Sequence, residues 1–455
     1  MDKINFLSKS RGIKNLSLRI VSVLRRFGPG AGRFEKILRK FGQVTGSLDC
    51  VPTFAITAVT LKRHPKVIRE LSRQGVEFAV HGNVHIDYGV IPAEEQSRHF
   101  NNAIDIFKSC GIPFTGFRAP FLRINGETLR VLDSLGFPYD SSHSVHWDVL
   151  DSAAYPEMAW SEYRRLLAFY DALKAEDCQV VPRFQDGLIE IPVSIPDDEA
   201  MVERLGITGG DGISAVWRNI LQKTYDRGEL FTLQLHPERI ALCEKALQDT
   251  IKQARRYDPP VWVTTLKEIA AWWRERSAFK FEVEEVERGR YRVKAACSDR
   301  AMILLRQGNI SAPAGEWWDG YQNIKSRDFI VTSPARPMLG IGLNAAPAAV
   351  SFLKNEGYAL EKSDEPGNYS LYLNSLEQFT PADEKPLAEQ LERSGATLLR
   401  YWRWPDRHQS ALTVTGDIDA MTLIDFALRI RENWAQNHRK LSQAAGRNDR
   451  ISMPA

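Results

Sequence analysis

The sequence predicts an α/β fold built on parallel strands, together with a second, β-rich domain. Between residues 51 and 275, short apolar runs alternate with segments whose apolar residues recur at helical spacing, and this alternation indicates repeated β-α units and a parallel sheet. Polar residues capable of chemistry stand just after several predicted strands, where the loops of such folds form their sites. From Phe279 to Ala296, apolar and polar residues alternate, and short apolar runs separated by polar turns follow, which is typical of antiparallel strands.

Length and composition narrow the class of protein. The chain has 455 residues, more than one hydrophobic core usually serves, so we expect at least two domains. Its 43% hydrophobic and 26% charged residues are those of a soluble globular protein. The 60 Lys and Arg nearly balance the 57 Asp and Glu and leave a formal charge of +3, so we expect no nucleic-acid partner. Nothing in the sequence indicates the oligomeric state.

The cysteines and the apolar segments bear on location. Five cysteines are scattered along the chain without a C-x-x-C pair, so we expect neither a disulfide framework nor a thiolate zinc site, and a reducing compartment fits best. Nowhere do 18 apolar residues run together, so we expect no membrane span and a cytoplasmic protein. The basic, amphipathic stretch Leu16–Arg26 leaves contact with a membrane surface as a lesser alternative.

The predicted elements follow one another in the order of β-α units. Apolar spacing predicts two helices between Ile13 and Phe41, broken at Gly28–Gly32. This glycine-rich break lacks the Lys-Ser/Thr ending of a phosphate loop and is interpreted as a turn. Strands are then predicted at 51–56, 77–80, 114–118, near 139, at 188–193 and at 230–235. Helices are predicted at 64–74, 93–110, 126–135, 160–175, 214–227 and 266–276.

The sequence divides into three segments, at 13–275, 276–380 and 381–440. Strands of the β-rich domain are expected within 279–296, 301–305, 329–332 and 369–373, with a helix at 348–356. Within it, Trp317, Trp318 and Tyr321 suggest a patch that stacks on sugars, although most aromatic clusters of this kind are core. The last segment opens with a predicted helix at 382–394.

Two histidines directly follow the predicted strand Glu77–Val80. His81 and His85 are four residues apart, and a helical turn there would place both imidazoles on one face, where they can share a metal. The alternative is a pair of hydrogen-bonded structural histidines, the commoner role of a half-buried His. Other residues that follow predicted strands, each with an ordinary structural alternative of its own, are Arg118, Asp140, Glu190 and His236.

A strand near the C-terminus ends in two aspartates. The apolar run Ser410–Asp419 closes with Asp417-Ile418-Asp419, and a helix is predicted after it at 422–434. A strand, two acidic residues and a helix in this order are typical of a site in a β-α fold rather than of the β-rich domain. No neighbouring segment supplies the parallel sheet that such a strand would join. The alternative is that carboxylates are simply favoured at the start of a helix. The polar tail after His438 is expected to be mobile.

Several of these segments, in this order, resemble the polysaccharide deacetylases, the NodB-like metal-dependent carbohydrate esterases, over about residues 13–275. The matching segments are Thr53-Phe54 on a strand, His81–His85 for the family's His-x-x-x-His, Arg118–Phe121 for Arg-x-Pro-Tyr/Phe, and Leu235-His236-Pro237 near the end. Tyr139–Ser142 and Glu190–Val193 also look like family segments. The resemblance implies a NodB-like distorted (β/α) barrel of parallel strands.

The sequence departs from the family's pattern at the first motif, an aspartate pair at the end of the first strand. The region before Thr53 contains Arg25-Arg26-Phe27-Gly28-Pro29 and holds no such pair. Asp417 and Asp419 are similar to the Asp-x-Asp form of that motif. We therefore predict a circular permutation, in which the C-terminal strand lies beside the Val51 strand and completes the barrel. The β-rich domain is then an insertion between the last and the first barrel strands.

The resemblance also implies a role for each matching residue. His81, His85 and Asp419 would hold a divalent metal, with zinc expected and cobalt or manganese as alternatives. Asp417 would be the general base, and His236 would be the general acid. Arg118 would orient the base. Pro120 and Phe121 would form the oxyanion and substrate contact, with the Phe121 backbone N–H as the donor.

By the same resemblance, the protein would be a metal-dependent hydrolase with a carbohydrate substrate. It would remove N-acetyl or related acyl groups from a sugar or polysaccharide precursor by metal-activated water. One alternative is a hydrolase of another linear amide. The other is a non-catalytic carbohydrate-binding protein, or an assembly factor of polysaccharide biosynthesis.

Overall fold

The computed structural model describes residues 27–28, 30–185 and 187–432 of the chain. Its helices are α1 Gly32–Gly46, α2 Ala58–Arg63, α3 Pro65–Arg73, α4 Ala93–Cys110, α5 Gly126–Ser134, α6 Glu157–Tyr170, α7 Gly210–Arg227, α8 Ile240–Ala254, α9 Leu266–Ser277, α10 Pro347–Asn355 and α11 Pro381–Arg393, and residues 423–432 are also helical. The strands up to residue 263 are β1 Thr53–Ile56, β2 Glu77–Val80, β3 Tyr139–Asp140, β4 Ser144–His146, β5 Leu173–Lys174, β6 Arg183–Gln185, β7 Leu188–Glu190, β8 Val193–Ile195, β9 Leu230–Gln234 and β10 Val261–Val263. The later strands are β11 Lys280–Glu287, β12 Arg290–Ala296, β13 Ile303–Arg306, β14 Asn309–Ile310, β15 Ala314–Glu316, β16 Tyr321–Ile324, β17 Asp328–Thr332, β18 Arg336–Ile341, β19 Leu360–Lys362, β20 Tyr369–Leu373, β21 Leu398–Tyr401 and β22 Ser410–Ile418.

A parallel sheet is assembled around β22, the last of these strands. Residues Thr415–Ile418 of β22 pair in parallel with β1, and residues Ala411–Thr415 pair in parallel with β9. β10 pairs with the first residues of β22, and β1 pairs in turn with β2. All nine residues of β22 are buried, as is typical of a central parallel strand. The strand that the sequence leaves without a sheet therefore lies between strands from much earlier in the chain.

The pairing continues beyond β2 through single bridges. Val80 bridges Phe117, and Phe117 bridges Asp140 at the end of β3. β3 then pairs in parallel with β7. Because β9, β22, β1, β2, β3 and β7 run in one direction, their carboxyl ends share one edge. The architecture is mixed α/β with parallel strands, as the sequence predicts.

Helices pack against this sheet through apolar faces, and one glycine allows a close approach within it. In α4, Phe100, Ile104 and Phe107 recur at helical spacing and are buried in the main core, and each such burial contributes ~1.5–3 kcal/mol. A Cβ on Gly416 of β22 would lie 2.7 Å from the carbonyl oxygen of Leu235. Close packing of this kind penalises any side chain at that position, because the neighbouring backbone would have to shift.

Residues 280–401 form a β-rich part of the chain. β11, β12, β17 and β14 make one antiparallel sheet, and β15, β16, β13 and β21 make a second. A third sheet, of β19, β18 and β20, is parallel and shares a core with α10 and α11. The sequence predicts only antiparallel strands here, whereas β18, α10 and β19 form a β-α-β unit. The predicted boundary is 380, but β21 pairs with β13, so the pairing extends to Tyr401.

The predicted aromatic patch of this part is mostly core. Tyr321 is 3% exposed, and its hydroxyl donates to Glu392 Oε2 at 3.0 Å. Trp317 is half-buried, and its ring centroid lies 6.2 Å from that of Trp402. Trp318 alone of the three is exposed, at 37%. The ordinary burial preference of aromatic residues accounts for most of the cluster.

Four elements differ from the sequence-based predictions. The strand predicted at 114–118 is reduced to two isolated bridges, of Phe117 with Val80 and with Asp140. The Tyr139 ring packs against Gly116, where a Cβ would lie 2.3 Å from it. The strand predicted at 188–193 is split into β7 and β8 at Pro192, which has no N–H to donate. The helix predicted at 64–74 is α3, preceded by α2 and starting at Pro65. The helix predicted at 160–175 spans Glu157–Tyr170 and ends where the next residue has a φ of 52°.

Four predictions lie partly or wholly outside the described residues. They are the helix before Gly28, the basic stretch Leu16–Arg26, the end of the helix predicted at 422–434 and the tail after His438. Among the helices that the structure does describe, none has the length and apolar character needed to span a membrane.

Candidate metal and catalytic site

The carboxyl edge of the parallel sheet brings together residues from both ends of the described chain. His81 and His85 follow β2, and Asp419 follows β22; these two strands flank β1. Asp419 Oδ1 lies 3.2 Å from His81 Nε2 and 3.3 Å from His85 Nε2. The three side chains form a group that could hold a metal ion.

A tight turn, rather than the helical turn considered from the sequence, aims the two histidines. Gly82 has a left-handed φ of 80°, and a Cβ there would lie 2.7 Å from the Tyr88 hydroxyl. Glycine adopts this conformation without strain and leaves room for the tyrosine. The chain therefore turns directly after His81, and the centroids of the His81 and His85 rings lie 5.3 Å apart.

The chemistry of this cluster fits a divalent cation. His81 Nδ1 donates to the Arg118 carbonyl oxygen at 2.8 Å, which leaves Nε2 as the ligand atom. Burial and the charge of Arg429 lower the pKa of His85 well below its usual value, so this imidazole is neutral at pH 7. Asp419 Oδ1 is buried and accepts no hydrogen bond from the described residues. Two imidazole nitrogens and a carboxylate oxygen are donors that zinc and similar ions prefer.

Arg429 keeps the carboxylate of this cluster ionised. Its Nη1 lies 2.5 Å from Asp419 Oδ2, on the oxygen that does not face the histidines. Burial opposes ionisation of Asp419, but the positive charge of Arg429 is the largest opposing influence, and the pKa of Asp419 lies well below the ordinary value. The carboxylate is therefore charged, as a metal ligand must be.

Asp417 lies two residues before Asp419, and polar side chains hold both of its oxygens. Gln234 Nε2 donates to Oδ2 at 2.9 Å, and Arg118 Nη1 donates to Oδ1 at 3.3 Å. Arg118 is itself 1% exposed and donates to Thr415 Oγ1 at 2.7 Å and to the Ser141 carbonyl oxygen at 2.9 Å. Because Gln234 and the anchored Arg118 donate to different oxygens, the Asp417 carboxylate is held in one orientation.

His236 faces the same cleft from the end of β9. Its Nδ1 donates to Asp198 Oδ1 at 2.9 Å, and Arg239 Nη1 donates to Asp198 Oδ2 at 2.7 Å. Burial alone would lower the pKa of His236, but the charge of Asp198 outweighs burial and raises that pKa to about 10. His236 is therefore protonated at neutral pH, and Nε2 is the nitrogen left to meet a substrate.

The loop after Arg118 adopts a strained backbone beside the metal cluster. Phe121 and Leu122 have left-handed φ values of 62° and 52°, which residues with side chains rarely adopt. The Phe121 ring packs edge-on against His85, with centroids 4.5 Å apart. Pro120 is buried in the same turn and is not among the residues that line the cleft.

These groups open onto one cleft of about 550 Å³. The sequence-predicted residues that line it are His81, His85, Phe121, His236, Asp417 and Asp419. Arg118 contacts Asp417 from within the protein rather than lining the cleft. Asp140 and Glu190, which the sequence also places after strands, instead meet His143 in a separate cluster.

Sequence reasoning missed the side chains that hold these residues in place. Gln234 and Thr415 stand two positions before His236 and Asp417, so the two-residue period of a strand would have placed each pair on one face. Asp198 lies beyond the predicted strand at 188–193 and carried no periodic signal. Only the fold brings it to His236.

Comparisons with known proteins agree with these motifs. Residues 37–139 match the sequence model of the family described as polysaccharide deacetylase. A curated relative, the peptidoglycan deacetylase-like protein FGM2 of Gibberella zeae, is 24% identical over 263 residues, which cover 53% of this chain and 74% of that protein. A solved structure from Mycobacterium smegmatis, assigned as a polysaccharide deacetylase, is 24% identical over 54% of this chain and 78% of its own, with a TM-score of 0.40. The allantoinase Puue is 21% identical over 52% of this chain and 72% of its own, with a TM-score of 0.41. At these TM-scores, the likeness to the two solved structures carries no argument.

Proposed function

We propose that this chain, a member of the polysaccharide deacetylase family, is a metal-dependent hydrolase that removes N-acetyl or related acyl groups from a sugar or polysaccharide precursor. Members of the family are hydrolases of carbon–nitrogen bonds other than peptide bonds. The observation that carries the proposal is the convergence of Asp419 with His81 and His85, in a cleft that Asp417 and His236 also line.

The architecture that we propose is a NodB-like distorted (β/α) barrel that β22 completes. The parallel pairing of β22 with β1 and with β9 supports this arrangement. The β-rich part then lies in the chain between the other barrel strands and β22, as an insertion in a circularly permuted domain. The strand order in space would be that of the family, although the order along the chain differs.

The metal would be held by His81, His85 and Asp419, and zinc is the ion we favour. Three protein ligands leave positions open for water and substrate, as a catalytic site requires. Cobalt or manganese would accept the same donors. When bound, the ion supplies Lewis acidity for the acyl carbonyl and for the attacking water.

Asp417 is the proposed general base and takes a proton from the attacking water. Gln234 and Arg118 hold its two oxygens, at 2.9 and 3.3 Å, so the carboxylate meets the water without first reorienting. Arg118 also compensates the charge of this buried carboxylate. The strained turn at Phe121 would present its backbone N–H to the oxyanion that forms on the carbonyl oxygen.

His236 is the proposed general acid. As the carbon–nitrogen bond breaks, the electron pair of that bond goes to nitrogen, and the imidazolium donates its proton there so that a neutral amine leaves. The carbonyl carbon keeps the oxygen of water and leaves as a carboxylic acid. Asp198 provides the acid form by holding the proton on His236 at neutral pH.

Acetate release from N-acetylated glucosamine oligomers tests the proposal. The metal-loaded protein should release acetate and expose amines, and Asp417→Asn should lower the rate by ~10²–10⁴-fold, the usual contribution of a general base. Asp211→Asn, which changes an exposed carboxylate at the start of α7, is the matched control and should retain the wild-type rate. Turnover of simple linear amides alone would refute the sugar substrate. Carbohydrate binding without any turnover would refute the hydrolase.

A further inference from the structure

We propose that the chain binds a second divalent cation, at a site formed by Asp140, His143 and Glu190. One ligand atom from each of the three lies within 4.8 Å of the others, and His143 Nδ1 is 3.4 Å from Glu190 Oε1. The cluster shares no residue with His81, His85 and Asp419. The sequence places Asp140 and Glu190 at strand ends, yet the proposed hydrolysis uses neither.

Two buried carboxylates create the need for a cation. Asp140 in β3 and Glu190 in β7 are paired in register on adjacent parallel strands, and they are 0% and 4% exposed. Like charges directly opposite one another in a sheet repel, and buried charges require compensation. Burial and the charge of Glu190 raise the pKa of Asp140 to about 7, a direct consequence of this crowding.

The protein compensates these charges incompletely. Burial lowers the pKa of His143, but the charge of Glu190 outweighs burial and raises it to about 9, so His143 without a metal carries a proton. One histidine cannot balance two ionised carboxylates, whereas a divalent cation would supply two positive charges between them. Arg183 of β6 is close, but it donates to Glu384 Oε1 at 2.7 Å. Among the described residues, no donor hydrogen-bonds Glu190 Oε1, which is buried.

The donor set and the access both suit a metal ion. Zinc, manganese and related divalent ions accept two carboxylate oxygens and one imidazole nitrogen as ligands. The Asp140 oxygens accept from the Ser142 backbone N–H at 3.1 Å and from Ser142 Oγ at 2.6 Å, contacts that orient a carboxylate ligand. The side chain of His143 is 44% exposed, so an ion can enter there and keep water in its remaining positions.

The site is linked to the residues that hold Asp417. Ser142 Oγ accepts from the Ala119 backbone N–H at 2.9 Å, and the Ser141 carbonyl oxygen accepts from Arg118 Nε at 2.9 Å. A cation on Asp140 and His143 would fix the turn that contains both serines. Its role is therefore structural, and it acts on turnover only through the position of Arg118.

Counting metal ions in purified variants tests the second site. Protein equilibrated with excess zinc and then desalted should hold two ions per chain by elemental analysis, and His143→Ala and His81→Ala should each hold one. His146→Ala is the matched control, because His146 lies three residues further on in β4, outside both clusters, and this variant should keep two. Glu190→Gln preserves the side-chain size and should also lose one ion, so the test does not depend on one variant folding.

The outcomes separate the second site from the proposed catalytic site. If His143→Ala and Glu190→Gln hold as many ions as wild type, the cluster is an ion pair with a protonated histidine and the second site is refuted. If wild type holds one ion that His143→Ala loses and His81→Ala keeps, the second site stands and the catalytic metal site fails.

Discussion

Replacing Asp198 with asparagine should convert His236 from a protonated to a neutral imidazole at neutral pH. The Asp198 carboxylate lies 2.9 Å from Nδ1, and its charge raises the pKa of His236 to about 10 in spite of burial. An asparagine keeps the size and a hydrogen-bond acceptor but removes the charge. Burial is then the largest influence left, and it lowers the pKa of His236 to the ordinary value of 6.5 or below.

The size of the effect follows from the two protonation curves. At about pH 8, a group with a pKa of about 10 is almost fully protonated, whereas one with a pKa of ~6.5 is protonated in ~3% of molecules. If His236 is the general acid, the Asp198→Asn rate at about pH 8 is therefore lower by ~30-fold or more, and the deficit shrinks towards pH ~6. The descending limb of the kcat/KM profile moves down by ~3.5 pH units or more.

The assay is the pH dependence of kcat/KM, with metal content measured in parallel. Asp197→Asn is the matched control, because Asp197 is also buried but accepts from the Ala200 backbone N–H at 2.8 Å rather than from His236. Its profile should move far less than that of Asp198→Asn. An Asp198→Asn profile that coincides with wild type would refute the role of the pair.

The same pair has a predictable effect on stability. Because the folded pKa of His236 is raised from 6.5 to about 10, its stabilisation is complete below the lower value and is lost as the pH rises through the higher one. Denaturant unfolding of wild type and Asp198→Asn should therefore differ most at about pH 5–6, below the unfolded pKa of His236, and converge in strong base. A difference that grows with pH would contradict this sign.

Three further predictions concern packing and charge elsewhere in the fold. Gly416→Ala places a Cβ 2.7 Å from the Leu235 carbonyl oxygen and should lower the free energy of unfolding by ~1–3 kcal/mol in denaturant titrations. Gly395→Ala, with open space around it, is the control and should cost little. Equal effects would contradict the close packing of β22. Arg118→Lys should keep the metal but lower kcat by ~10-fold or more, because a lysine cannot span Ser141, Thr415 and Asp417 at once; an unchanged kcat would exclude the positioning role. Glu356 Oε2 lies 3.2 Å from Arg400 Nη2 and 2.5 Å from Arg403 Nη2. Glu356→Gln removes this buried negative charge and should lower the free energy of unfolding by ~3 kcal/mol in denaturant titrations. A loss below ~1 kcal/mol would show that the two arginines find other partners.

The local parts of the fold and site could be predicted from the sequence because their signals are local. Apolar runs followed by helical spacing identify β-α units, and the spacing of His81 and His85 identifies two candidate ligands. The position of β22 depends on distant parts of the chain, since its paired residues in β1 and β9 lie 362 and 181 positions earlier. It was predictable only because the Asp417–Asp419 pattern matched a motif missing elsewhere.

The features that were missed depend on contacts rather than on patterns. Propensity does not distinguish a parallel from an antiparallel strand over the few residues of β18, β19 and β20, so the third sheet of the β-rich part escaped prediction. Asp198 comes to His236 from another segment of the chain, and nothing periodic marks it. The convergence of Asp140, His143 and Glu190 likewise depends on the register of β3 with β7.

The shared metal site of His81 and Asp419 can be tested most directly by a double-variant comparison of bound metal. His81→Ala and Asp419→Ala should each lose one ion relative to wild type, and the double variant should lose no more than either single variant, because both residues hold the same ion. If Asp419→Ala keeps the ion that His81→Ala loses, or if the double variant loses two ions, the C-terminal strand does not complete the site.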